Sequence, residues 1–225
     1  MLGYAICLAV LGLSFWVVDT PSAALPVIRD DLGLSATVAG MVVSFFFIGR
    51  LVANIPAAWL VDRGGPKRTV LTGSALLLVG SVLAAIAPSP VPLLVARVFQ
   101  GSGVAFLATA ALLSILRARP AGGAAMTAFN VSAGIGGAFG LVIGGFLTGA
   151  IGWRSVFWQS ALISAVVLAI GIFAKERSAG LKSEAEETAQ ATVGLSHARG
   201  LLVFALAANF LVYTNYCIWA VGVPL

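Results

Sequence analysis

The chain has 225 residues, of which 60% are apolar and only 9% are charged, and its mean hydropathy is +1.06. Charged residues make up about a quarter of ordinary soluble domains, so this composition excludes that class and predicts several membrane-spanning helices. A formal charge of +5 would suggest nucleic-acid binding in a soluble chain. Here the cations cluster between apolar runs on one side of the membrane, so we expect membrane lipids and no nucleic acid as partners.

Few residues offer reactive or metal-binding chemistry. Cys7 and Cys217 lie within apolar runs, which favours neither a disulfide framework nor a metal site. His197 lies in a polar connector, where we expect it to be solvated. No apolar run combines a nucleophile with a base, so the sequence predicts neither an enzyme nor a cofactor.

Seven apolar runs follow one another, and each is long enough for a transmembrane helix of about 20 residues. We place them at 2–27, 36–61, 69–87, 90–116, 121–151, 155–174 and 201–225. The connector at 175–200 is the one long, polar and charged segment. It separates a six-helix unit, 1–174, from a seventh helix, 201–225, and we expect it to be cytoplasmic.

The distribution of Lys and Arg predicts the orientation. If the amino terminus lies in the cytoplasm, the inner side holds Arg63, Lys67, Arg68, Arg117, Arg119, Lys175, Arg177, Lys182 and Arg199. The outer side then holds Arg29 and Arg154. This asymmetry follows the positive-inside rule and predicts a multi-pass protein of the inner or plasma membrane with a cytoplasmic amino terminus.

The stretch at 58–68 combines turn residues with basic residues, which predicts a tight loop outside the hydrocarbon. It resembles the signature between helices two and three of the major facilitator superfamily, roughly Gly-x-Leu-Ala-Asp-Arg-x-Gly-Arg-Lys. The matching residues are Leu60, Asp62, Arg63, Gly65 and Lys67, whereas Ala58 and Pro66 depart from the pattern. A positive loop of any membrane protein is the simpler reading.

The resemblance implies a gating role for this loop. Asp62 would accept hydrogen bonds from backbone amides and pair with Arg117 or Arg119 at the inner end of span four. Gly65 would permit the turn, while Arg63 and Lys67 would bind lipid headgroups or acidic residues.

An internal repeat accompanies this loop. The spacing of Leu60, Gly65 and Lys67 recurs after span five in Leu147, Gly152 and Arg154. The two connections would lie on opposite sides of the membrane, as an inverted repeat of three plus three helices requires.

Asp19 lies in the first apolar run, where a carboxylate is costly unless it faces a cavity or a partner. The stretch at 17–28 is similar to the first helix of multidrug and metabolite exporters in the superfamily, which carries Leu-Asp-x-Thr and ends in Ala-Leu-Pro. The resemblance implies a functional carboxylate. Alternatively, Asp19 caps a helix that breaks at Pro21 and binds the freed amides.

Arg97 is the expected partner of Asp19. It begins a stretch that resembles the fourth-helix motif of the superfamily, Arg followed by two residues and Gln-Gly. At about 1.5 Å per residue, both side chains lie at similar depths below the outer ends of their helices. Burial disfavours a charged carboxylate and a nearby cation favours it, so the pair suits proton coupling. A permanent salt bridge that only fixes the helices is the alternative.

Further polar residues are expected to line a substrate cavity. Arg50 lies too far above Asp62 to reach the cytoplasm, so it either attracts an anionic substrate or balances a carboxylate. In the superfamily, helix seven lines the cavity from the second half, although aromatic residues there also suit an interfacial belt. The predicted cavity residues are Arg50, Gln100, Asn130, Asn209, Tyr213, Asn215 and Tyr216.

The fifth run is rich in glycine. Gly136, Gly140 and Gly144 are four residues apart and share one helix face, which predicts close helix packing. Together with Gly145 they resemble the fifth-helix antiporter motif, although Leu141 stands where that motif has Pro. The motif implies export, and the missing Pro weakens that implication. Ordinary packing of small residues explains the glycines equally well.

The sequence therefore predicts an all-α membrane protein, namely the six-helix amino-terminal bundle of the superfamily plus a seventh helix. The resemblance implies a secondary transporter that exports or exchanges small organic molecules with protons by alternating access. A proton-coupled uptake symporter is one alternative, and a non-transporting membrane scaffold is another. Helices eight to twelve of the family fold are missing, so we expect a fragment that requires the carboxy-terminal half, and the alternative is a half-size product that must associate with another chain.

Overall fold

The computed structural model describes residues 2–118 and 122–173, with side chains at 8–115 and 127–173. Five α-helices follow one another and account for the regular structure of these residues: α1 (Leu2–Asp31), α2 (Ala36–Ala85), α3 (Pro90–Ala118), α4 (Gly122–Ile151) and α5 (Arg154–Phe173). All five are long and apolar enough to cross a membrane. Residues 1–174 form one compact unit. The connector and the seventh predicted span lie outside the described residues.

Predicted spans two and three both lie in α2, which is bent at Gly65. Gly65 has φ 77° and ψ 169°, whereas the helical conformation holds on either side of it. Gly49 in the first arm (36–64) touches Val98 of α3, and Gly80 in the second arm (66–85) touches Gln100, both without room for a Cβ atom. Because both arms contact neighbouring positions of α3, the chain reverses direction at Gly65.

The turn at this reversal contains fewer residues than the sequence predicts. The loop expected over 62–68 is a bend at one residue with a non-helical conformation. Pro66 explains the difference, since its fixed φ and missing N–H suit the first residue of a helix. The second arm therefore starts directly after Gly65.

Helix α1 continues through two prolines. Pro21 and Pro26 both lie inside Leu2–Asp31, and Thr20 donates a side-chain hydrogen bond to the Trp16 carbonyl at 2.6 Å. The alternative in which Asp19 caps a helix broken at Pro21 is therefore wrong. Membrane helices tolerate proline because neighbouring helices and hydroxyl side chains compensate for the lost backbone bond.

The helices pack around α3, the most deeply buried of the five. Both arms of α2 cover α3, α4 packs mainly on α1, and α5 packs mainly on the second arm of α2. A central apolar cluster joins α1, α2, α3 and α5 and consists of Val17, Val18, Phe46, Leu77, Val104, Leu107 and Val167. Large apolar side chains such as Ile55, Val142 and Phe146 are exposed, as expected where a bundle meets lipid.

Candidate functional site

Arg97 is buried in the bundle with only 2% of its surface exposed. Its Nε atom donates to the carbonyl oxygen of Val42 at 3.0 Å, and its Nη1 donates to Oε1 of Gln100 at 2.8 Å. The ring centroid of Phe46 lies 4.5 Å from Arg97 Cζ, which adds a cation–π contact. The first arm of α2 and α3 itself thus supply partners that a buried cation requires.

Gln100 extends this network to the second arm of α2. Its Nε2 donates to Ser81 Oγ at 3.0 Å, and both side chains are 0% exposed. We predicted Gln100 as a cavity residue, and the structure places it between α3 and α2 as a hydrogen-bond partner of Arg97. Four side chains from two helices, Phe46, Ser81, Arg97 and Gln100, form what we call the arginine network.

Asp19 is half-buried on α1 beside α4. A Cβ atom added to Gly137 would collide with Asp19 Oδ2, so the carboxylate lies directly against the α4 backbone. The preceding residues Val17 and Val18 belong to the central apolar cluster with Phe46, the ring that Arg97 covers. Asp19 follows these two residues on α1, whereas Arg97 covers the Phe46 ring from α3. The ion pair between them stays a prediction.

Arg50 lies on the first arm of α2 and faces α1. Its Cζ atom is 5.3 Å from the centroid of the Phe15 ring, and Phe15 in turn makes an edge-to-face contact with Phe129 of α4 at 6.1 Å. Asn130 follows Phe129 and is exposed. The two predicted cavity residues Arg50 and Asn130 thus belong to the α1, α2 and α4 side of the bundle, and their contact with substrate stays a prediction.

The bend at Gly65 carries the predicted gating residues. Asp62 and Arg63 are exposed, and Arg63 Cζ lies 4.8 Å from the ring centroid of Trp59. Thr69 Oγ1 donates to the Gly65 carbonyl at 3.0 Å and thereby stabilises the start of the second arm. Lys67 is half-buried. The side chain of Arg117 lies outside the described residues, so its pairing with Asp62 stays a prediction.

Three of the four predicted packing glycines lie against α1. A Cβ atom added at any of the three would clash with the α1 backbone. The pairs are Gly136 with Gly12, Gly140 with Trp16, and Gly144 with Thr20. Gly145 differs, because nothing lies within 4 Å of the point where a Cβ atom would stand. The backbones of α1 and α4 are thus in close contact, and Asp19 lies at this contact.

A second polar cluster joins three helix ends, and we call it the helix-end clasp. Asp31 Oδ2 accepts from Trp153 Nε1 at 2.8 Å and from Arg154 Nη1 at 3.4 Å. Arg154 Nη2 also donates to the Ala87 carbonyl at 3.4 Å. The clasp therefore ties the end of α1 to Ala87, the second residue after α2, and to the start of α5.

The clasp adjoins the second copy of the predicted repeat. Gly152, at the position that corresponds to Gly65, has φ 102°, and Gly65 has φ 77°. Both glycines thus adopt a positive φ that other residues rarely adopt. Gly33, which lies outside the repeat, also has a positive φ of 61°, and the internal repeat inferred from spacing stays a prediction.

Several members of the site carried no usable signal in the sequence. Ser81 is one small hydroxyl residue in an apolar run, and Val42 contributes through its carbonyl oxygen, which every residue has. Gly137 is one glycine among many, and Asp31 is one of two adjacent aspartates between the first two apolar runs. The Gln-Gly motif marked Gln100, and its Ser81 partner became visible only from the packing of α2 on α3.

Other predicted residues lie beyond the part of the chain that the structure describes. These are Asn209, Tyr213, Asn215 and Tyr216 of the seventh span. Within residues 2–118 and 122–173, no group of three or more His, Cys, Asp or Glu side chains is arranged to hold a metal ion.

Curated relatives include several bacterial membrane transport proteins. The chain is 33% identical over 141 residues to the inner membrane transport protein YajR of Escherichia coli, which covers 63% of this chain and 31% of that protein. It is 29% identical over 195 residues to the multidrug resistance protein Stp of Mycobacterium tuberculosis, covering 85% and 34%. It is 31% identical over 150 residues to the cephamycin export protein CmcT of Amycolatopsis lactamdurans, covering 65% and 31%. The matched part spans about a third of each relative.

Solved structures show the same fold at lower identity. A POT family transporter in complex with 5-aminolevulinic acid superposes with a TM-score of 0.67 at 19% identity, over 96% of this chain and 47% of that one. A D-xylose-proton symporter superposes with a TM-score of 0.64 at 18% identity, over 84% and 52%. Residues 4–225 match the Major Facilitator Superfamily. The chain therefore belongs to the Major Facilitator Superfamily, whose members are multi-pass membrane transporters and not enzymes.

Proposed function

We propose that this chain is part of a secondary active transporter that couples the export or exchange of small organic molecules to protons by alternating access. Residues 2–173 would cross the membrane six times, with each arm of α2 forming one crossing. Residues 201–225 would form a seventh crossing that begins a carboxy-terminal bundle. The amino terminus would be cytoplasmic, as the Lys and Arg distribution predicts.

The observation that carries this proposal is the buried arginine network. A cation with 2% exposure inside a membrane bundle is expensive, and such residues mark ion and substrate pathways. Asp19, its predicted partner, lies against the backbone of α4 and directly follows Val17 and Val18 of the central apolar cluster in the sequence. A carboxylate in that position can bind a proton from one side of the membrane and release it to the other when the bundles move.

Export is the direction that the relatives favour. Two of them are described as a multidrug resistance protein and a cephamycin export protein. Gly140, Gly144 and Gly145 retain part of the antiporter motif. A proton-coupled uptake symporter is the second candidate, because Leu141 replaces the motif proline and the fold also superposes on a D-xylose-proton symporter.

Gating would use the bend at Gly65. Asp62 is exposed at the end of the first arm, where it would pair with Arg117 in the inward-closed state. Arg63 and Lys67 would hold the bend at the lipid headgroups. Movement of the bundles would break the Asp62 pair and open the cytoplasmic side.

The test uses everted membrane vesicles that contain the full natural polypeptide carrying this sequence. Ethidium and cephamycin C are added as probes, and acridine orange reports the proton gradient. Antiport predicts that luminal protons leave when substrate is added, whereas symport predicts that protons enter with it. The absence of any coupled proton movement across a wider panel of organic compounds would contradict the proposal.

The variant Asp19→Asn tests the proposed coupling residue. It should abolish proton-driven transport while the protein still folds, because a carboxamide does not gain or lose charge near neutral pH. Asp30→Asn is the matched control, since Asp30 is an exposed carboxylate at the end of the same helix. Asp19→Asn transport with wild-type rate and pH dependence would remove Asp19 from the mechanism.

A further inference from the structure

The contact between Gln100 and Ser81 is a buried polar pair that no recognised motif of this chain includes. Both side chains are 0% exposed, and Gln100 uses its two amide ends differently. Oε1 accepts from Arg97 Nη1 at 2.8 Å, and Nε2 donates to Ser81 Oγ at 3.0 Å. A buried amide without these partners would carry a large desolvation cost, so these hydrogen bonds are needed for the Gln100 side chain to be buried.

The chemistry of the amide permits one orientation in this pocket. Arg97 offers only donors, so it must face the amide oxygen. A reversed amide would place its NH₂ group against the guanidinium and its oxygen against Ser81. Arg97 therefore selects the amide orientation, and Ser81 Oγ accepts from Nε2 at the other end and restrains rotation of the Gln100 side chain.

Two bonds then fix the plane of the guanidinium. Nε donates to the Val42 carbonyl and Nη1 donates to Gln100. The guanidinium is rigid and carries five N–H donors, so fixing two of its nitrogens sets the direction of all the others. Two guanidinium nitrogens of Arg97 are therefore held by partners on α2 and α3.

The backbone packing explains why a serine can do this. A Cβ atom at Gly80 would lie 2.7 Å from the backbone nitrogen of Gln100 and 2.9 Å from the backbone carbonyl oxygen of Ala96. The second arm of α2 and α3 thus approach closely at this level. The short Ser81 side chain reaches Gln100 because the backbones are so near.

We propose that Ser81 is a positioning residue, which acts through Gln100 to orient the Arg97 guanidinium for proton coupling. The coupling role rests on the proposed function, whereas the orienting role rests on the contacts above. Ser81 needs no contact with substrate, and its loss changes the transporter through the geometry of Arg97.

Ser74 supplies a matched control. It lies seven residues earlier on the same arm, is also 0% exposed, and donates to the Val70 carbonyl at 2.8 Å within its own helix. Ser81→Ala and Ser74→Ala therefore remove the same atoms at comparable burial. The first variant deprives Gln100 of its acceptor, while the second leaves the arginine network intact.

The experiment measures hydrogen exchange of the Arg97 Nη1 protons, which face Gln100, by NMR on the full natural polypeptide with ¹⁵N-labelled arginine, assigned with Arg97→Lys. Ser81→Ala should accelerate exchange about fivefold, the factor that corresponds to about 1 kcal/mol for one hydrogen bond. Ser74→Ala should leave the rate unchanged, and Ser81→Thr, which keeps the hydroxyl, should restore it. If Ser81→Ala fails to fold, Ser81→Cys replaces it, because a thiol is a weak acceptor. Equal exchange rates in wild type and the Ser81 variant would overturn the proposal.

A second measurement separates this inference from the proposed function. The pH profile of ethidium-driven proton release in everted vesicles should change in Ser81→Ala and stay unchanged in Ser74→Ala. Faster Arg97 exchange with an unchanged pH profile would support the orienting role and contradict the coupling role. Unchanged exchange with a changed profile would refute positioning through Arg97.

Discussion

Replacing Gly144 by alanine tests how closely α1 and α4 must approach beside Asp19. A Cβ atom at Gly144 would lie 2.7 Å from the Thr20 carbonyl oxygen and 2.8 Å from Thr20 Cγ2, whereas ordinary contact begins at 3.4 Å. The helices would have to separate by about 0.7 Å at this point. Thr20 is 0% exposed and cannot move aside freely.

The cost follows from two opposed effects. Overpacking a close contact costs about 1–3 kcal/mol, and alanine regains up to about 1 kcal/mol over glycine through its helix propensity. We expect Gly144→Ala to lower the free energy of unfolding by about 1–2 kcal/mol. Gly145→Ala is the control, since nothing lies within 4 Å of its Cβ position and only the propensity gain applies.

The assay is thermal unfolding of the full natural polypeptide in detergent, followed by size-exclusion chromatography. A chain of about 150–250 residues shifts by about 2–4 °C per kcal/mol and a longer polypeptide by less, so Gly144→Ala should melt measurably below Gly145→Ala. Equal melting temperatures for the two variants would refute the inferred α1–α4 backbone contact. A loss of transport in Gly144→Ala at temperatures where it remains folded would connect this contact to the neighbouring Asp19.

Three further changes test the bend, the helix-end clasp and the orientation. Gly65→Ala should lower the free energy of unfolding by about 1–3 kcal/mol, because φ 77° with ψ 169° is a conformation that only glycine adopts readily. Gly64→Ala is the control and should cost less, because its Cβ atom would contact only the side chains of Leu60 and Arg68. Asp31→Ala should cost about 1–3 kcal/mol, because it leaves the Nε1–H of the buried Trp153 without its acceptor, and high salt should remove only the part that comes from the half-exposed Arg154 pair. In a background without native cysteines, Asp30→Cys should react with an impermeant maleimide from outside and Arg68→Cys only from inside, and the reverse result would invert the proposed topology.

The sequence predicts the fold class and the helix order because membrane helices are long, apolar and separated by charged connections. It overestimates the length of the connection at Gly65, because Pro66 lets the second arm of α2 start within one residue of the bend. The predicted span at 2–27 passes through Pro21, as α1 does, and the alternative of a break there is wrong because membrane helices tolerate proline. Charged residues such as Arg97 stand out in an apolar run. Ser81 does not, since its importance depends on what lies opposite it.

The arginine network also bears on how a proton could move without unfolding the bundle. Were Asp19 the principal partner of Arg97, each protonation of the carboxylate would leave a cation uncompensated at 2% exposure, which is a severe penalty. The Val42 carbonyl, the Gln100 amide and the Phe46 ring contact Arg97 from α2 and α3. Arg97 would keep these partners when Asp19 is protonated, so we expect them to lower the cost of the proposed charge change at Asp19.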